Sequence, residues 1–165
     1  MKEEYIRDYY QWQDVLAIVA QLRAPDGCPW DREQTFESME QCLKDECNEV
    51  LEALQNKDYL NLKEELGDVL LQVLLQSEIA REQGLFTLED VINELGQKLV
   101  RRHPHVFGPG EAEGDSTEAL SKWNAMKKQE KMDRLREYEQ WVQSGKITQT
   151  VMDQYKLELK AKGYL

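Results

Sequence analysis

Leu43-Lys44-Asp45-Glu46-Cys47-Asn48-Glu49-Val50-Leu51 and Leu62-Lys63-Glu64-Glu65-Leu66-Gly67-Asp68-Val69-Leu70 are nearly the same nonapeptide, the second copy starting nineteen positions after the first. Apolar residues recur at the helical spacing in both: Leu43, Cys47, Val50 and Leu51 in one, Leu62, Leu66, Val69 and Leu70 in the other. A helix turns about 100° per residue, so each set forms one stripe, which is expected to face the core. Glu46 and Glu49 lie roughly 60° and 120° to one side of Leu43, and Glu65 and Asp68 lie at the same angles from Leu62. The acids therefore flank the stripes.

The short segment between the copies, Asn56 to Asn61, predicts two antiparallel neighbouring helices related by a local pseudo-two-fold axis. Such an axis brings Glu46, Glu49, Glu65 and Asp68 together. Two carboxylates about 5 Å apart repel by roughly 3 kcal/mol at an effective dielectric of about 20, so a cluster beside a core calls for a cation. Hard oxygen donors suit Mg²⁺, with Mn²⁺ as a substitute. One Glu-x-x-Glu step in a chain with 32 acidic residues reads as a solvated helix face. Two copies in phase, beside apolar stripes and joined by a tight turn, read as a metal site.

Outward from the repeat the helical period continues. A helix is predicted from Tyr10 to Arg23, stopped by Pro25 and Gly27, then a loop through Cys28, Pro29, Trp30 and Asp31. The repeat-bearing helices are expected over Phe36–Gln55 and Tyr59–Gln83, with Gly84 in the left-handed position that ends the second. Thr87 and Asp90 form a capping-box-like pair for a fourth helix, which runs to Arg102 and ends before Pro104. The expected fold is all-α, a four-helix bundle. Gly108 to Ser116 reads as a flexible surface loop, followed by helical segments over Thr117–Ser144 and Ile147–Lys162 broken at Gly145.

The 165 residues suit one domain with an appendage. Hydrophobic residues at 41% and charged residues at 32% describe a folding chain with ionised helix surfaces. A net charge of −11 argues against gripping a nucleic-acid backbone, which needs Lys and Arg on the phosphates. No segment approaches a membrane span, and the N-terminus lacks the apolar core of a secretory signal. Cys28, Cys42 and Cys47 form no zinc pattern and read as reduced packing thiols, so the expected location is the cytoplasm.

Glu46-x-x-Glu49, a gap of 15 residues, then Glu65-x-x-Asp68, resembles the metal signature of the all-α nucleoside triphosphate pyrophosphohydrolases. The flanking runs resemble the MazG type in particular: Gly27-Cys28-Pro29-Trp30-Asp31-Arg32-Glu33-Gln34-Thr35-Phe36, Glu65-Leu66-Gly67-Asp68-Val69-Leu70-Leu71-Gln72-Val73, and Lys98-Leu99-Val100-Arg101-Arg102-His103-Pro104-His105-Val106-Phe107. With Trp123 to Lys127 the resemblance covers Val15 to Lys127, about two thirds of the chain. A pyrophosphohydrolase domain over residues 1–127 and a helical C-terminal extension over 128–165 are expected. Asp45 stands where the family opens its first motif with a second glutamate, and Asn48 replaces an aromatic.

The resemblance implies Mg²⁺-dependent hydrolysis of ribo- or deoxyribonucleoside triphosphates between the α and β phosphates, and a homo-oligomer, a dimer or a dimer of dimers. On it Glu46, Glu49, Glu65 and Asp68 are the metal ligands, and Glu46, then Asp45, is the catalytic base. Lys98, Arg101 and Arg102, spaced to share one side of a helix, are the candidate phosphate contacts, although a basic last turn also suits the helix dipole. Trp30 either stacks on the base or caps the core. Trp123 is expected to pack, and His103 and His105 to form a turn that positions Arg102. Two alternatives stand: a dUTP- or phosphoribosyl-ATP-type pyrophosphohydrolase on the same fold, and a non-catalytic helical module binding partners through an acidic face.

Overall fold

The computed structural model describes residues 3–108 and 116–165, so most of the expected loop at 108–116 lies outside the described residues. After a 3₁₀ turn at Glu3–Tyr5, eight α-helices follow among these: α1 (Trp12–Arg23), α2 (Pro29–Glu33), α3 (Phe36–Asn56), α4 (Tyr59–Glu82), α5 (Leu88–Arg102), α6 (Pro104–Phe107), α7 (Ser116–Gln143) and α8 (Gln149–Ala161). The protein is all-α; no strand occurs among the described residues.

Local chemistry sets most of the boundaries. Asp14 Oδ2 accepts from Gln11 N at 2.9 Å at the start of α1. The backbone then turns back on the end of α1, where Gly27 N donates to Ala24 O at 2.7 Å and Cys28 N to Leu22 O at 2.8 Å. A Cβ at Gly27 would lie 2.2 Å from Leu22 O, so only glycine allows that approach. Thr35 Oγ1 accepts from Ser38 N and Ser38 Oγ from Thr35 N, a box that opens α3. Thr35→Ala should cost about 1 kcal/mol in chemical denaturation at unchanged helix content.

Lys57, left-handed at φ 55°, closes α3 through its N–H on Ala53 O and Leu54 O. Asp58 then caps α4, its Oδ1 accepting from Asn61 N at 3.1 Å. Two residues thus connect two long helices, so α3 and α4 run antiparallel, and theirs is the most extensive helix–helix contact. Gly84, at φ +65°, takes the left-handed place after α4, and Thr87 and Asp90 make the expected capping pair.

The chain forms two compact units, Met1–Val91 and Ile92–Leu165. In the first, Val19 of α1, Met39 of α3 and Leu74, Leu75 and Ile79 of α4 form the buried core, with Val15, Leu16, Phe36, Cys42, Leu71 and Leu88 packed around it. The core is thus built from α1, the first half of α3 and the second half of α4. Both apolar stripes of the repeat, expected to face the core, are only partly covered: Leu43, Val50, Leu62 and Val69 are half-buried, whereas Cys47, Leu51, Leu66 and Leu70 are exposed. Two helices bury only the seam between them, and at this end of the hairpin that seam takes Ala53 and Glu65.

Arg23, at the end of α1, ties this unit together. Its Nε and Nη2 bind the Glu82 carboxylate at 2.9 and 2.7 Å, and its Nη1 donates to the carbonyls of Asp31 and Gln34. The stretch expected as a loop therefore contains α2, a single turn begun by Pro29 and held by Arg23.

In the second unit Met152 and Leu159 of α8 are buried. Tyr155 stacks on Tyr138 of α7 at 4.3 Å and donates its hydroxyl to Lys131 O at 2.9 Å. Ion pairs join α5 to α7: Glu94 with Arg134, and Glu130 with Arg101 and Arg102. No helix among the described residues is long and apolar enough to cross a membrane.

Candidate metal centre

Glu46 and Glu49 project from α3 and Glu65 from α4, and one carboxylate oxygen from each lies within 4.8 Å of the others. The antiparallel hairpin and the helical phase of the repeat bring them together. Glu65 is buried, Glu46 half-buried and Glu49 exposed, so the cluster opens to solvent on its α3 side. Asp68, expected as the fourth ligand, stands outside this trio, one helical turn beyond Glu65, but its charge acts on both Glu46 and Glu65.

The electrostatics follow from the crowding. Burial pushes the Glu46 carboxyl above its ordinary range, and the charges of Asp68, Glu49 and Asp45 push the same way. Glu65 is raised by burial, by a hydrogen bond with Glu49 that requires a proton, and by the charges of Glu49, Asp68 and Glu64. A divalent cation held here would offset this repulsion, and a donor set made wholly of carboxylate oxygens fits a hard ion such as Mg²⁺ or Mn²⁺.

Because these two groups bind protons more tightly folded than unfolded, their contribution to stability falls as pH rises from about 4 through their raised values. Melting temperatures across roughly pH 4 to 7, in chelator, should show this fall relative to Glu65→Gln, and saturating Mg²⁺ should remove the difference. Equal profiles with and without Mg²⁺ would count against cation binding at these carboxylates.

Asp45 is exposed, and its Oδ1 accepts from Gln41 Nε2 at 2.7 Å, one helical step from the trio. Trp30 is 57% exposed on α2, so it does not cap the core. Lys98, Arg101 and Arg102 lie on the last turns of α5, in the second unit. Lys98 pairs with Glu94 at 3.5 Å. Arg101 Nε and Arg102 Nε each reach a Glu130 oxygen at 2.8 Å. Burial opposes the Glu130 charge, but the hydrogen bonds from Arg102 and Arg101 outweigh it and hold its carboxyl below the ordinary range. The Arg102 guanidinium also sits 4.8 Å from the Trp123 ring. The His103 ring packs on Trp123 at 4.9 Å, and its Nδ1 lies 2.6 Å from Leu99 O. Trp123 thus packs against both Arg102 and His103.

Sequence reasoning missed two residues. Glu130 pairs with both arginines across 28 or more positions, with no local signal. Gln72 is buried beside Glu46, and it does leave a trace, as the one polar residue in Val69-Leu70-Leu71-Gln72-Val73-Leu74-Leu75.

Residues 34–107 match the family model of the MazG nucleotide pyrophosphohydrolase domain, a span that holds all four acids and the three α5 cations but not Trp30. A nucleoside triphosphate pyrophosphohydrolase/pyrophosphatase MazG from Thermotoga maritima is 50% identical over 120 residues, 73% of this chain and 45% of that protein. The nucleoside triphosphate pyrophosphohydrolase of Escherichia coli K12 is 42% identical over 118 residues, 71% of this chain and 44% of that protein. The chain thus spans less than half the length of these curated relatives. A crystal structure of a mazG-related protein from Thermotoga maritima superposes with a TM-score of 0.60 at 30% identity, covering 70% of this chain and 98% of that one. A repeated acidic hairpin in sequence, the same hairpin in the fold and these matches over it agree: the chain belongs to the MazG nucleotide pyrophosphohydrolase family.

Proposed function

We propose that this protein hydrolyses ribo- or deoxyribonucleoside triphosphates between the α and β phosphates, releasing a monophosphate and pyrophosphate. The observation that carries the reading is the trio Glu46, Glu49 and Glu65, with oxygens within 4.8 Å of one another. These three, with Asp68, would hold Mg²⁺, or Mn²⁺ in its place, which when bound supplies positive charge to a polyanionic substrate. Glu46 accepts, at its carboxylate, the proton of the water that attacks the α phosphorus. Asp45 is the second candidate for this role.

Lys98, Arg101 and Arg102 are the proposed phosphate contacts, and the exposed Trp30 the proposed base-stacking ring. The proposed catalytic domain covers residues 1–127, with 128–165 as a helical extension, and the proposed location is the cytoplasm. Leu51, Leu54, Leu66, Leu70 and Val73 leave an exposed apolar surface on the α3–α4 hairpin, which supports a homo-oligomer, a dimer or a dimer of dimers.

The test is to incubate the full chain, its mass fixed by light scattering, with each nucleoside triphosphate and Mg²⁺, and to quantify both products. Equimolar monophosphate and pyrophosphate are expected. Turnover of dUTP alone would move the assignment to the dUTP type, and no turnover by a folded chain would leave a non-catalytic helical module.

A further inference from the structure

Gln72 is 4% exposed, deep on α4. It follows Glu65 by seven residues and Asp68 by four, so at about 100° per residue all three share one face of the helix. Its side-chain amide lies near enough to Glu46 across the hairpin to oppose the rise in that carboxyl's proton affinity. Its Oε1, buried, has no partner among the described residues. A buried carbonyl without a donor destabilises the fold that contains it, and an apolar side chain of the same size would avoid that cost. What sets Gln72 apart is that it is buried on the helix face it shares with Glu65 and Asp68.

We propose that Gln72 is a positioning residue of the metal centre: its amide N–H orients Glu46, and its buried Oε1 is an acceptor reserved for a water of a hydrated divalent cation at Glu46, Glu49 and Glu65. The inference rests on the reading of those carboxylates as a cation site. It makes Gln72 a residue that costs the empty fold stability and repays it when the ion enters. It also assigns the trio a neutral partner that holds one carboxylate in place without adding to the negative charge already there.

The experiment uses the full chain, stripped of metal, and Mn²⁺ alone as the probe, with free Mn²⁺ followed by electron paramagnetic resonance. Gln72→Met keeps the length of the side chain and removes both polar atoms. Its Mn²⁺ affinity should fall about tenfold, while its metal-free melting temperature stays level with the wild type or rises. Gln72→Leu is the second variant, used if the first does not give a cooperative melt. Unchanged Mn²⁺ affinity would overturn the proposal, and so would weaker binding accompanied by a lower metal-free melting temperature, which marks a packing role. If the wild type itself takes up no Mn²⁺, or binds it no better than Glu49→Gln, the cation-site reading falls and this one with it. If the wild type binds Mn²⁺ and both Gln72 variants match it, only the role of Gln72 is lost.

Discussion

Glu65→Gln should lower pyrophosphate release from nucleoside triphosphates by about three orders of magnitude, the equivalent of roughly 4 kcal/mol of transition-state stabilisation. Glutamine keeps the shape of the side chain and its place in the hairpin. It removes a charged oxygen from the most buried member of the trio and would leave the proposed cation site a weaker ligand. The same change should leave the metal-free protein at least as stable near neutral pH, because the ionised Glu65 carboxylate is disfavoured where it sits. Activity and stability thus move in opposite directions, which a mutation that merely damaged the fold would not produce. Glu49→Gln, on the exposed side of the cluster, should lose comparable activity with little change in melting temperature. Activity within tenfold of wild type in both variants would remove these carboxylates from the reaction.

Arg23→Met should lower the unfolding free energy by about 3 kcal/mol in chemical denaturation. The guanidinium is 6% exposed and serves three distant places at once, the Glu82 carboxylate and the carbonyls of Asp31 and Gln34. Methionine preserves the apolar stem and strands those acceptors. The bidentate bonds of Arg23 to Glu82 hold that carboxyl below the ordinary range, so this contribution is complete above the unfolded value and fades as pH falls through the lowered one. Arg23→Lys should recover only part of the loss, since an ammonium cannot reproduce the planar fork. The loss should also loosen α2, which carries Trp30, and limited proteolysis between Pro25 and Gln34 would report it. A loss below about 1 kcal/mol, within the range of an exposed ion pair, would show that Arg23 is not the tie described here.

Local sequence specifies the two repeat-bearing helices and the grouping of three of the four acids. The expected spans Phe36–Gln55 and Tyr59–Gln83 are, within a residue, the observed Phe36–Asn56 and Tyr59–Glu82. Their signals are local: a left-handed glycine at 84 and apolar spacing that repeats within one helix. The approach of Glu46, Glu49 and Glu65 was legible for the same reason, since a short connector and equal phase constrain two helices strongly. The tertiary structure alone decided the rest. A five-residue α2 is too short to be stable on its own, and it exists through Arg23, whose partners lie up to 59 positions away. Periodicity shows which residues share a face but not whether anything covers that face, so the exposure of Leu51, Leu66 and Leu70 had no sequence signal. Burial of Gln72 against Glu46, and the capture of Arg101 and Arg102 by Glu130, depend on which helices become neighbours in space. That choice is made by packing over the whole chain, which no local window contains.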